Sequence, residues 1–316
     1  MYKKHFGLRE NPFNVNPDPR FLYVTRHTQE ALACLTYGIQ SRKGFILLTG
    51  EVGTGKTTLL NRLLDWLHRQ HVSTAYLFNS RLNVPQFFDF MMNDFGVACE
   101  SRLKSQMLLK LNHWLLERYR AGENAVLIVD EAQNLSPQVL EEIRLLTNLE
   151  TSTEKLLQIV LAGQPELDVK LRQPSLRQLR QRITLRCKTH PLNPDETDHY
   201  ITRRLKVAGN NGHVIFTPEA VRTVHEYSRG IPRVINLLCD HALISTFVDQ
   251  KAQVGGDVVE EVAREFELHE IEPTVPVPSN GGGENLILME AVQHLQRLSE
   301  RLNRNEKASG VAKEGD

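Results

Sequence analysis

Only four cysteines occur in 316 residues (Cys34, Cys99, Cys187 and Cys239), and no two form a C-x-x-C pair. That scatter argues against a zinc ribbon or a disulfide framework and suits a reducing compartment. There is no excess of charge of either sign: Lys plus Arg and Asp plus Glu number 38 each. Net charge therefore offers no pull toward nucleic acid, and any basic surface must be local. No apolar run nears the roughly 20 residues that cross a bilayer. The opening MYKKHFGLRE lacks a secretory signal core. The twelve histidines include no H-E-x-x-H, and the D-F-G at Asp94, Phe95 and Gly96 comes without a kinase catalytic loop. These absences lead to the expectation of a cytoplasmic globular protein with one large core or two modest ones and no direct membrane insertion.

What is present is more specific. Gly50, Glu51, Val52, Gly53, Thr54, Gly55, Lys56 and Thr57 match G-x-x-x-x-G-K-[ST] at every position, and Thr58 follows. FILLT at 45–49 reads as a buried strand before the match. Leu59, Leu60, Leu63, Leu64 and Leu67 give a helical period after it. Strand, glycine-rich turn and helix are what phosphate binding needs: backbone N–H groups turn inward around the anion, and the helix N-terminus adds partial positive charge. This context predicts nucleoside triphosphate binding, with Lys56 on the β/γ-phosphates and the Thr57 hydroxyl on Mg²⁺. No N-K-x-D motif follows, which favours adenine.

Further strands are expected at 73–79, 125–130, 156–163 and 183–189. Helices are expected at 28–41, 84–95, 103–120, 137–150 and 167–181. Alternating strands and helices predict an α/β fold: a parallel sheet with helices on both faces and a ligand at the carboxyl ends of the strands. AVLIVD at 125–130 ends in Asp130, a carboxylate placed to hold Mg²⁺, and the adjacent Glu131 is placed to polarise the attacking water. From Pro191 the pattern becomes helical, at 195–208, 217–228, 233–249 and 256–267. Thr217 before Pro218 makes a helix start, and Asp257 is expected to cap the last helix. The domain reading is a proline-rich, aromatic segment 1–26 packed on the core, an α/β domain 27–190, a small all-helical lid 191–268, a linker 269–283, a helix 284–306 and a tail 307–316. In that last helix Leu288, Ala291, Leu295, Leu298 and Leu302 repeat at coiled-coil spacing. It is either a docking element for a protein partner or a surface helix that frays alone.

The phosphate loop, D-E-A-Q at 130–133, G-Q-P-E-L at 163–167, and the openings F-G-L-R-E-N-P-F and N-P-D-P-R-F-L-Y together resemble the ExeA/GspA branch of the AAA+ ATPases. The resemblance runs from about Phe6 to about Glu267. It implies a P-loop NTPase fold, with ATP and Mg²⁺ as ligands. It implies that Gln164 is the polar sensor at the end of the fourth strand. By the same resemblance, Arg233 in G-I-P-R is a second sensor on the lid. Arg182, with Arg180 as second choice, becomes a finger that completes a neighbouring subunit's site, so the active form is an oligomer. Asn79 falls where relatives restrain the catalytic glutamate, although a turn-forming asparagine is the commoner reason for such a residue at a strand end. The membrane span and glycan-binding domain that often follow in that branch are not evident, so membrane contact is expected only through a partner. Three roles stay open: an ATPase for secretion, envelope or exopolysaccharide export machinery; a DNA-dependent regulator of the MuB/TniB type; and a slow nucleotide switch between protein partners. The second rests on local charge, Arg172 to Lys188 and then Arg203, Arg204 and Lys206, and nucleic acid is the less favoured partner.

Overall fold

The computed structural model describes residues 2–14, 19–21, 23–78, 81–101 and 103–268. Asn79 and the segments 269–283, 284–306 and 307–316 lie outside the described residues. The chain divides into two compact units: residues 24–190, and residues 1–23 together with those from 191 onward. A single helical turn, α1 (Tyr2–His5), precedes the first of these. Among the described residues no helix is long and apolar enough to cross a membrane.

The unit at 24–190 is a five-stranded parallel sheet of β1 (Phe45–Thr49), β2 (Ser73–Leu77), β3 (Ala125–Val129), β4 (Leu157–Gly163) and β5 (Leu185–Lys188), in the order β2-β3-β4-β1-β5. β1, β3 and β4 are buried at every residue, as their unbroken apolar runs require of strands covered on both faces. The period of two sorts them into two cores. Ile46, Leu48, Val126, Ile128, Val160 and Ala162 meet α2 (Arg26–Gln40) and α3 (Lys56–Arg69). Phe45, Leu47, Leu127, Val129, Ile159 and Leu161 face a larger cluster. That cluster draws on α4 (Val84–Asp94), α5 (Lys104–Arg120), α6 (Pro137–Leu146), α7 (Pro165–Leu171) and α8 (Arg177–Arg182). The chain leaves β1 for the far edge at β2 and returns through β3 and β4. The strand order therefore reverses beside β1, which opens a crevice at the carboxyl end of the sheet.

Two expected helices are shorter than their patterns. The helix read at 137–150 stops at Leu146, because Thr151 Oγ1 accepts the N–H groups of Thr153 and Glu154 and a bridge between Glu150 and Lys155 turns the chain back. The helix read at 167–181 breaks into α7 and α8 at Pro174, which supplies no N–H and starts a short 3₁₀ turn.

The other unit packs α9 (Pro194–Val207), α10 (Pro218–Ser228), α11 (Pro232–Val248) and α12 (Gly256–Glu265) around one apolar cluster. Asn193 and Glu196 close a capping box on α9, and Thr217 Oγ1 accepts from Ala220 N at 3.1 Å at the start of α10. Asp257, expected as a cap, instead sits in the first turn of α12 after the cap residue Gly255, where its charge favours the helix dipole. The aromatic segment near the start of the chain joins this cluster and not the sheet: Tyr2, Phe6, Leu8 and Phe13 are buried among Tyr200, Leu205, Phe216 and Leu238. Arg204, itself buried, clasps that segment. Its Nε donates to Pro12 O at 2.5 Å, its Nη2 to Asn14 O at 3.2 Å and its Nη1 to Tyr200 Oη at 2.8 Å. Its guanidinium also lies over Phe21, 4.7 Å from the ring centre. Tyr2 Oη donates to Asp240 Oδ1 at 2.6 Å.

Two stability outcomes follow. Arg204→Ala leaves two carbonyls and a hydroxyl without their donor, and should lower the unfolding free energy by about 2–4 kcal/mol in urea titration. Arg204→Lys should recover little of that, because an ammonium lacks the planar fork. At Asp240, burial holds the carboxyl above its ordinary value, and the Tyr2 bond offsets only part of the rise. The fold thus favours the protonated acid. Its contribution is complete below the unfolded value and is lost as pH rises through the raised one. Asp240→Asn keeps an acceptor for Tyr2 and removes the ionisation. Its stability relative to wild type, measured by thermal melts, should therefore grow as pH increases from about 4 to about 7.

Candidate active site at the carboxyl edge of the sheet

The phosphate loop leaves β1 at Thr49 and enters α3 at Lys56. Gly55 takes the N-cap position in the left-handed region, φ +92°, and supplies no side-chain cap. The first N–H groups of α3, at Lys56, Thr57 and Thr58, therefore have no partner from that cap. Thr54 Oγ1 donates to Glu51 O at 2.7 Å and lies 2.7 Å from Thr189 Oγ1 just beyond β5, which ties the loop to the neighbouring strand. Lys56 is only 5% exposed, and its Nζ donates to Gly50 O at 2.8 Å and Glu51 O at 3.0 Å. Burial pulls its pKa down, against the opposing charges of Glu131, Asp130, Glu51 and Glu166. Val52 stands exposed at the loop's outer side.

Strand register brings the remaining parts to this loop. Thr49 pairs with Gly163 and Val129 with Leu161, so Gly50, Asp130 and Gln164 all emerge at the same edge. Asp130 is buried and gathers three donors: Glu131 N at 2.9 Å, Tyr76 Oη at 3.1 Å and Thr57 Oγ1 at 3.3 Å. Its pKa is raised, chiefly by burial, with the Glu131 charge adding to the rise and these three bonds opposing it. Glu131 adopts φ +50°. That conformation is unusual for a non-glycine residue. Its Oε2 accepts from Gln133 Nε2 at 2.5 Å and from Gln164 Nε2 at 3.2 Å. Gln164 is the N-cap residue of α7. The structure thus links Thr57, Asp130, Glu131 and Gln164 by hydrogen bonds and sets the Lys56 charge among the same acids.

The arginines fare differently. Arg182, at the end of α8, is tethered within its own unit: its Nη1 donates to Thr147 Oγ1 at 2.7 Å and Asn148 Oδ1 at 2.6 Å. Arg180 on the same helix is exposed, and its side chain makes no ion pair or hydrogen bond among the described residues. Arg233 occupies the first turn of α11 in the helical unit, exposed. Asn79 lies outside the described residues.

Sequence reasoning passed over two residues of this neighbourhood, Tyr76 and Gln133. Tyr76 lies on the half-buried edge strand β2, paired with Ile128 two positions before Asp130, and its hydroxyl is held protonated by burial and by Asp130. A tyrosine one step inside an edge strand next to an acid-ended strand was the available signal. For Gln133 the signal was its place at the end of D-E-A-Q, two residues after Glu131.

A family profile described as an AAA domain matches residues 39–171. General secretion pathway protein A of Aeromonas hydrophila is 49% identical over 260 residues, which cover 82% of this chain and 47% of that protein. The chain therefore spans about half the length of the curated relative it matches. Among solved structures, Cdc6p of Pyrobaculum aerophilum superposes with a TM-score of 0.61 at 16% identity, covering 92% of this chain and 89% of that one. The ORC2 protein of Aeropyrum pernix, solved as ADPNP–ADP complexes, gives 0.59 at 16% identity, covering 83% and 75%. These structural likenesses establish the fold alone.

One local test of the site's packing concerns Gly163, at the end of β4. A β-carbon there would lie 2.8 Å from both Gln133 Oε1 and a Leu167 methyl. Gly163→Ala should therefore destabilise the protein by about 1–3 kcal/mol, read as a lower urea midpoint with an unchanged slope.

Proposed function

The chain is a GspA-like protein of the AAA+ class, and from that premise we propose that it binds and hydrolyses ATP at a subunit interface. The energy drives or switches the assembly of a secretion, envelope or exopolysaccharide export system. The observation that carries the enzymatic part is the convergence of Lys56 and Thr57 at the start of α3 with Asp130, Glu131 and Gln164 at the ends of β3 and β4, at one edge of the sheet. The link to secretion is supported by the relative's name, and the relative's partners belong to that longer protein.

Each residue has a physical task. The loop N–H groups and the α3 terminus hold the phosphate chain, and Lys56 sets a positive charge against the β/γ-phosphates. The Thr57 hydroxyl and the Asp130 carboxylate are hard oxygen donors 3.3 Å apart, a set that suits Mg²⁺ completed by water and phosphate oxygens. Bound there, the ion supplies charge neutralisation at the β- and γ-phosphates. Tyr76 holds the Asp130 carboxylate from its other side. Glu131 polarises the attacking water, and the Gln164 amide, already beside that carboxylate, positions the water and the γ-phosphate. Arg233 reads the γ-phosphate from the lid.

The choice of finger changes with the geometry. For Arg182 to reach a neighbouring subunit it must give up its bonds to Thr147 and Asn148, whereas the Arg180 side chain has none to lose among the described residues. Arg180 is therefore the arginine we assign to the neighbour's site, with Arg182 bracing α8 against the end of α6. The oligomer follows from that assignment, and a protein partner engages residues 284–306.

The transposition-type reading loses support for a related reason. Its basic stripe counted Arg204, which is buried in the helical unit, Arg186, which pairs with Asp168 at 2.8 Å, and Arg182, which is tethered. Fewer free cations remain there to meet phosphates along a duplex.

Steady-state hydrolysis and nucleotide-binding assays test these assignments together. Lys56→Ala should lose nucleotide binding. Glu131→Gln should bind ATP and retain it. Activity per subunit should rise with protein concentration, and Arg180→Ala should lose turnover by about a thousandfold or more while still binding ATP. Arg182→Ala should lose far less. A flat rate per subunit together with a fully active Arg180→Ala removes the trans site.

A further inference from the structure

Gln133 lies in the 3₁₀ turn Ala132–Asn134, immediately after Glu131. Both polar atoms of its side chain are committed. Nε2 donates to Glu131 Oε2 at 2.5 Å, and Oε1 accepts the main-chain N–H of Gln164 at 3.1 Å. Rotating the amide by half a turn sets NH₂ against N–H and a carbonyl oxygen against a carboxylate, so the two partners select a single orientation. Gln164 closes the circuit by donating its own Nε2 to the same Glu131 oxygen at 3.2 Å. Glu131, Gln133 and Gln164 thus form a ring that links the end of β3 to the first residue before α7.

Two other features hold this ring in place. Gly163 leaves the space that the Gln133 oxygen occupies, since a β-carbon there would come within 2.8 Å of it. Lys170, on α7, donates its Nζ to Gln133 O at 2.9 Å and also to Leu135 O, and burial lowers its pKa. Those bonds go to main-chain carbonyls. The turn is therefore anchored independently of the Gln133 side chain, which leaves the side chain free for another task.

We propose that Gln133 is a positioning residue for hydrolysis: its amide locks the Glu131 carboxylate and the Gln164 segment in one register, so that both address the same water. Gln133 acts through Glu131 and has no contact with the nucleotide. The proposal rests on the reading of Glu131 as the residue that polarises water. It accounts for the two amide donors on one carboxylate oxygen: they orient the group and leave its charge in place. It also gives φ +50° at Glu131 a purpose, because the left-handed turn brings residue 133 back toward the side chain of residue 131.

The test uses the full chain, Mg²⁺–ATP turnover, and binding of a fluorescent ATP analogue. Gln133→Met keeps the length and removes both polar atoms, while Gln133→Glu sets a second carboxylate against Glu131. Both should lower kcat by about 10–100-fold, the usual effect of losing a group that orients a catalytic ligand. KM and analogue affinity should stay within about twofold, as for an interaction made only in the transition state. Because Gln133 acts through Glu131, adding Gln133→Met to Glu131→Gln should lower the residual rate no further. Unchanged kcat in Gln133→Met overturns the proposal. So does an equal proportional loss in the Glu131→Gln background, and so does a loss of kcat matched by lost affinity and a lowered melting temperature. A Glu131→Gln protein with wild-type turnover removes the reading of Glu131 itself. An inert Glu131→Gln beside a fully active Gln133→Met removes only the role of Gln133.

Discussion

The hydrogen-bond register among β1, β4 and β3 brings the phosphate loop, Asp130 and Gln164 to one edge of the sheet. These strands carry no functional side chain of their own, yet pairing Thr49 with Gly163 and Val129 with Leu161 decides which residues emerge together at the carboxyl edge. A slip of one residue would exchange the two faces of a strand and move its terminal groups by more than 3 Å. Burial on both sides makes such a slip costly, because each strand would have to interchange fully buried residues between two differently shaped cores. The rigidity of the site is thus borrowed from apolar packing that has no chemistry in it.

Much of this arrangement could be read in the chain. Parallel strands covered on both faces are unbroken apolar runs, so all five were placed to within about two residues at each end, the usual margin for element boundaries. The phosphate loop and the Asp130–Glu131 pair were legible because each is local. What escaped was non-local. The pairing of β2 with β3 puts Tyr76 within 3.1 Å of Asp130, and no pattern within β2 announces it. Gln133 gained meaning only when Gln164, 31 positions away, proved to hold its other end. Arg182 and Arg180 look alike in sequence, and what separates them is Thr147 and Asn148 in the turn after α6. The shortened helices, in contrast, had visible causes in Pro174 and in the Thr-Ser-Thr run at 151–153, which the apolar period outweighed.

The buried charge in the helical unit shows how little composition says about role. Arg204 and the exposed arginines of α8 contribute equally to a basic tally, but one is consumed by main-chain carbonyls and aromatic faces while the others stand in water. Taking an arginine out of water is tolerable where its donors are met by fixed acceptors, and here the acceptors come from a segment with no regular structure of its own. A stretch that prolines keep from forming a helix is instead ordered by an ionic side chain some 190 positions away.

That same clasp makes the helical unit discontinuous in sequence, with residues 24–190 inserted between its two parts. On a ribosome the aromatic segment leaves before residues 24–190, and its binding surface on α9 to α12 is not complete until the codons near 266 have been read. At roughly 5–20 residues per second that interval is roughly ten to fifty seconds. During it the sheet unit can fold, but Phe6, Phe13 and Phe21 have no native surface to enter. The nascent chain therefore carries an unpaired aromatic segment while residues 24 to 266 are made, and a chaperone that engages aromatic residues near a ribosome exit would meet its ligand there.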